Sequence, residues 1–255
     1  YPLRFLVYHH QVQDEIGGKP VLVTYCSVCR TGRAFEPLVN GQPEQFRLVG
    51  MDHFNAMLED AGTGSWWRQA NGQAVAGPLK GQTLPELPVM QARLSSWLAL
   101  HPDSRVMQAD PAALAHYDTE GRFERGESRG ALTRTERSAW AEKSWVVGIE
   151  HAGQAKAYDW MLLTQQGLIH DQIGESPVLL ALAPDGQSFR AFERPAASTE
   201  FRLEGGHLMT GDQAYDFAGS PLSGAAAPLK SIAAYQEFWH SWRSFHPQTA
   251  RYTSP

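Results

Sequence analysis

Cysteine is almost missing from this sequence: Cys26 and Cys29 are the only two in 255 residues. Two cysteines in one short motif cannot make the disulfide framework of a small secreted domain, so they form a single local device. A dense basic block is missing as well. Lys and Arg number 22 against 27 Asp and Glu, a formal charge of −5. That balance argues against a nucleic-acid surface, which needs clustered Lys and Arg to displace counterions. The longest apolar candidate, residues 177–182, falls far short of the roughly 20 residues of a membrane span and suits a buried strand. There is no His-Glu-x-x-His and no phosphate-binding glycine loop, so no nucleotide cofactor is expected. The chain opens on Tyr1 without an initiator Met. The expectation is that an N-terminal piece, such as a signal peptide, has been removed.

What is present is an ordinary globular composition, 42% hydrophobic and 19% charged, in a chain long enough to bury a core without disulfide staples. An internal repeat stands out. Residues 1–37 align without a gap on residues 158–194, pairing Tyr1 with Tyr158, Leu6 with Leu163, Asp14 with Asp171, Ile16 with Ile173 and Pro20 with Pro177. Arg33-Ala34-Phe35-Glu36 returns as Arg190-Ala191-Phe192-Glu193, Phe46-Arg47-Leu48 as Phe201-Arg202-Leu203, and His101-Pro102 as His246-Pro247. Between Leu48 and Pro78 the first copy carries about a dozen extra residues, including Met51, His53 and Met57. The cysteines are also confined to the first copy, since their counterparts are Ala183 and Gly186.

Alternating and β-branched runs predict strands at 21–25, 33–38, 45–49, 65–69, 73–76 and 178–182, separated by Gly, Asn and Pro turns. Leu94, Trp97 and Leu98 have helical spacing, as do Tyr235, Phe238, Trp239 and Trp242. Each copy therefore ends in a helix stopped by His-Pro. His101 and His246 read as helix-terminal residues, Asp14 and Asp171 as turn formers, and Trp66-Trp67 as core. Between the copies, alternating Arg and Glu with poor apolar periodicity read as a solvated linker or arm. The fold class is α+β, mainly β: two internally repeated β-rich units, each ending in a helix, packed as one globular protein. The boundaries are 1–108 for the first repeat with the Cys-x-x-Cys site, 109–145 for the linker, and 146–255 for the second, degenerate repeat.

Cys26-Ser27-Val28-Cys29 follows a predicted strand and precedes Arg30. This spacing suits a disulfide, a redox dithiol or two legs of a metal site. Arg30 favours thiolate over thiol. A zinc ribbon needs a second cysteine pair, which is missing, so further ligands would come from His9, Met51 or His53, all features of the first copy. A soft Cys/Cys/His set suits copper in preference to zinc.

Three stretches carry a family resemblance: HHQVQDEIGGKPVLVTYCSVC at 9–29, NAMLEDAGTGSWWRQANGQAVAGPLKGQTL at 55–84, and VVGIEHAGQAKAY at 146–158. Together they resemble the bacterial family known only as domain of unknown function 3179, over nearly the whole chain. The resemblance carries over His9, Cys26 and Cys29 and implies export, placing the chain in the periplasm or outside the cell. His10 stands where the family usually has Glu, Ser27 where it has Pro, and Arg30 where a small residue is common. Asp52-His53 alters the usual context of Asn55.

The expected function is an exported protein with a Cys26/Cys29/His9 metal site, Met51 or His53 completing it, in metal handling or metal-dependent redox chemistry. A thiol–disulfide redox protein and a non-enzymatic binding module with a structural Cys26–Cys29 bridge are the alternatives. The expected partner is a metal ion or a small molecule, with no nucleic acid and no membrane span.

Overall fold

Gly17 and Gly18 both take positive φ, 60° and 79°, and so form the two-residue turn that reverses the first hairpin. The computed structural model describes residues 1–254. The chain runs α1 (Leu3–His9), β1 (Gln11–Ile16), β2 (Lys19–Cys26), β3 (Thr31–Phe35), β4 (Leu38–Val39), β5 (Gln42–Pro43), β6 (Phe46–Asp52), β7 (Asn55–Asp60), β8 (Trp66–Arg68), β9 (Ala74–Ala76) and β10 (Glu86–Leu87). It continues through α2 (Leu94–Leu100), a 3-10 helix (Pro111–His116), β11 (Trp145–His151), β12 (Gln154–Asp159), α3 (Trp160–Gln166), β13 (Leu168–Ile173), β14 (Ser176–Leu182) and β15 (Phe189–Glu193). It ends with β16 (Arg202–Glu204), β17 (His207–Thr210), β18 (Gln213–Tyr215), β19 (Ser231–Ile232), β20 (Tyr235–Phe238), α4 (Trp239–Phe245) and β21 (Ala250–Arg251). The class is α+β, mainly β.

The chain divides into two compact units. Unit 1 comprises residues 1–89, 105–136 and 237–245; unit 2 comprises residues 90–104, 137–236 and 246–255. In unit 1, β1-β2-β3-β10 form one sheet and β6-β7-β8-β9 another. β2 is buried on both faces, which is why its sequence is a continuous apolar run rather than an alternation. Leu22 packs with Phe35, Phe46, Leu58 and Trp67, while Val21, Val23 and Tyr25 pack with Leu6, Ala34 and Phe123. Each such buried side chain contributes about 1.5–3 kcal/mol.

Unit 2 contains a β13-β14-β15-β19 sheet and a β16-β17-β18 sheet. Its hairpin registers parallel those of unit 1: Asp14 faces Val21 and Leu22 faces Phe35, while Asp171 faces Val178 and Leu179 faces Phe192. Asp14 and Asp171 are not turn residues as expected. Each sits inside a strand and accepts a tyrosine hydroxyl, from Tyr1 at 2.7 Å and from Tyr158 at 3.0 Å. Trp67 is buried, but its neighbour Trp66 is 43% exposed.

Two further expectations are modified. Residues 235–238 are strand rather than the first turn of a helix, in keeping with the β preference of their Tyr and Phe. The 110–136 stretch has a wetted, charged surface, yet Ala113, Tyr117 and Phe123 are buried. Apolar residues at such wide spacing give no periodic signal.

Candidate functional site

β2 ends on Cys26 and β3 begins at Thr31, so the Cys-x-x-Cys motif is the link of a hairpin. The backbone N–H of Arg30 donates to the carbonyl of Cys26 at 2.8 Å, and Arg30 closes the turn at φ 63°. This brings the two cysteine Cα atoms to 5.3 Å, and the sulfurs are joined as a disulfide. The backbone N–H of Cys29 also donates to Cys26 Sγ at 3.2 Å. Cys26 is 3% exposed and Cys29 0%; both pack on Ala56 and Val28.

The β6–β7 hairpin covers the pair. At its tip the carbonyl oxygen of Phe54 lies 3.1 Å from Cys29 Sγ and 3.7 Å from Cys26 Sγ. This oxygen accepts a hydrogen bond from a thiol and repels a thiolate, whereas the N–H at Cys26 stabilises a thiolate. The two sulfurs are thus electrostatically unequal. Residues 237–245 supply a third side: Phe238 N–H donates to the Cys29 carbonyl at 2.8 Å, and Asn55 Nδ2 donates to Ser241 Oγ at 3.2 Å.

The tip itself is strained. His53 and Phe54 occupy the two central positions at φ 50° and 62°, a conformation that costs a side-chain-bearing residue about 1–2 kcal/mol. In unit 2 the β16–β17 turn has glycine at both places, Gly205 and Gly206 at φ 59° and 84°. Phe54 is 57% exposed, so packing does little to offset the strain.

Arg30 is buried at 2% exposure. Its guanidinium lies 3.5 Å above the Phe123 ring and donates to the carbonyls of Phe123 and Thr133. Burial pulls its pKa down to about 10, which still leaves a cation at neutral pH next in sequence to Cys29. Arg33, on β3, forms an ion pair at 2.9 Å with Glu237, with both side chains nearly inaccessible.

The remaining residues singled out from sequence lie elsewhere in unit 1. His9, on the last turn of α1, has its Nε2 2.7 Å from the hydroxyl of Tyr117. Met51 is 58% exposed on β6. His53 is mostly exposed at the hairpin tip, with Nδ1 2.6 Å from Asp52 Oδ1. Among the described residues no group of three or more His, Cys, Asp or Glu side chains is placed to hold a metal ion. Sequence reasoning missed Phe54, whose contribution is a backbone carbonyl, and Glu237, Phe238 and Ser241, which lie some two hundred residues away. The extra residues of the first copy were the available signal for Phe54. For the others there was only the apolar pattern around Trp239.

A family model described as protein of unknown function (DUF3179) matches residues 1–249. The chain belongs to the DUF3179 family. No curated protein and no solved structure matches it. Among the described residues of this DUF3179 chain, no helix is long and apolar enough to cross a membrane.

Proposed function

We propose that Cys26 and Cys29 form an exchangeable redox pair, and that this DUF3179 protein acts in thiol–disulfide exchange. The observation that carries this reading is the unequal setting of two bonded sulfurs, with an N–H directed at Cys26 and a carbonyl at Cys29. A thiolate of an external dithiol attacks Cys29 Sγ, the sulfur–sulfur bond breaks, and its electron pair leaves on Cys26, whose thiolate is held by the Cys29 N–H. The second thiolate of the donor then attacks the donor sulfur of the mixed disulfide and displaces Cys29. Cys29 takes up a proton from solvent, and its S–H donates a hydrogen bond to the Phe54 carbonyl. The donor ends as a disulfide and the pair as two reduced cysteines. Because both sulfurs are buried, exchange requires the strained hairpin tip to lift, and that strain keeps the opening inexpensive.

The metal reading is less favoured, because the two sulfurs are spent on each other and His9 is held by Tyr117. Export to the periplasm or the cell exterior remains part of the proposal, since an oxidising compartment maintains such a bond.

The test is reduction of the folded protein with dithiothreitol, followed by alkylation and mass spectrometry. The redox reading expects reversible reduction under native conditions and faster alkylation at Cys26 than at Cys29. Resistance to reduction until the chain is denatured would make the bond a structural bridge and end the reading.

A further inference from the structure

Unit 1 contains a second feature that the disulfide does not use. A concavity of about 410 Å³ opens beside α1, within the size range of small-molecule sites. Arg4, Arg122, Arg129 and His116 stand around it, with Tyr8 and Phe123 as an aromatic wall. The Tyr8 and His116 rings are parallel, with centroids 4.9 Å apart. Arg4 is fixed by two bonds of 3.2 Å to Glu124, but the other two arginines are not. Arg129 has no hydrogen bond or ion pair among the described residues. Arg122 pairs only with Glu120, whose side chain is 62% exposed and readily exchanged for another anion. The single acid on the wall, Asp118, is engaged elsewhere. Its two oxygens accept the backbone N–H groups of Glu120 and Phe123 at 3.1 and 2.8 Å.

We propose that this concavity binds a small aromatic oxyanion. A carboxylate or phosphate monoester group sits against Arg122 and Arg129, and a flat ring lies on the Tyr8 and Phe123 wall. Guanidinium forks suit such groups because they bond both oxygens at once. The apolar wall selects an organic anion over an inorganic one. Phe123 also carries the Arg30 guanidinium, so the site and the cystine link share one side chain. The proposal does not depend on the redox reading, and its test uses the oxidised protein without reductant.

The experiment is calorimetric titration of the full chain with phenyl phosphate, against inorganic phosphate and phenol. One phenyl phosphate is expected to bind per chain, more tightly than either fragment, with affinity falling as salt is added. Arg129→Gln and Arg122→Gln are each expected to weaken it about tenfold. Both side chains are on the surface, so the thermal melt should not move. Tyr8→Ala should weaken phenyl phosphate but leave inorganic phosphate unchanged. The proposal fails if phenyl phosphate does not bind or binds no better than inorganic phosphate. It also fails if both arginine variants bind as the parent does.

Discussion

Reducing Cys26–Cys29 should weaken unit 1 by only about 2 kcal/mol and leave it folded. The bond closes a loop of four residues, 26–29. In the chain-entropy account a loop that short removes about 6 cal/mol/K from the unfolded state, or about 2 kcal/mol at 25 °C. Domains of this kind are stable by about 5–15 kcal/mol, so the loss is survivable. The folded side adds little to the cost. A reduced Cys29 finds the Phe54 carbonyl already 3.1 Å away, Cys26 keeps the Cys29 N–H, and the turn keeps its Arg30-to-Cys26 backbone bond. The assay is urea unfolding by circular dichroism of the oxidised protein, of the protein in excess phosphine reductant, and of the Cys26→Ala/Cys29→Ala variant. The two reduced-type samples should coincide and fall about 2 kcal/mol below the oxidised one. A loss above about 4 kcal/mol, or disappearance of the unit 1 transition, would refute the reasoning and make the bond a clamp on the fold.

Converting the hairpin tip to Asn-Gly, by His53→Asn and Phe54→Gly, removes two strained residues and should raise stability by about 1 kcal/mol. It should also slow reduction by dithiothreitol, and faster reduction would contradict the lifting hairpin. Glu237→Ala removes the nearer and buried of two carboxylates beside Arg33, the other being Glu86 at 3.5 Å, and should cost about 3 kcal/mol in urea, part of which Arg33→Met/Glu237→Leu should recover. Asp60 is fully buried, which alone would raise its pKa. Bonds from the Trp67 indole, Thr63 and Ser65 outweigh that and hold it below its ordinary value of 3.8. Its contribution is therefore complete above about pH 4 and is lost as pH falls towards the lowered pKa. Asp60→Asn should cost about 2 kcal/mol near neutrality and flatten the acid limb of the stability profile; an unchanged limb would show that Asp60 does not control it.

The strands were legible because their signals are local. Gly17-Gly18 marks a turn whatever surrounds it, and the run 21–25 is apolar throughout because β2 is covered on both faces. The matching registers of β1–β2 and β13–β14 follow from gapless similarity between the two stretches. Residues 235–238 escaped, because Tyr235, Phe238, Trp239 and Trp242 fit a helical period whether or not a helix forms. Only the pairing of the backbone decides, and it makes residues 235–238 the strand β20.

The site was half legible for the same reason. A Cys-x-x-Cys at a strand end states the sulfurs and their reach, and Arg30 states a nearby charge. Chain spacing could not reveal the electrostatic difference between the sulfurs, because both groups that create it are backbone atoms: the Cys29 N–H and the Phe54 carbonyl. A backbone acceptor has no side-chain signature. What it can leave in the sequence is the strain of the turn that presents it, and His53-Phe54, where unit 2 has Gly205-Gly206, is that trace. Two bulky residues at the positive φ values that Gly205 and Gly206 take in the β16–β17 turn are costly for the fold alone. Their presence beside the sulfurs is accounted for if the tip must open, and the rate of native-state reduction in the Asn-Gly variant measures that directly.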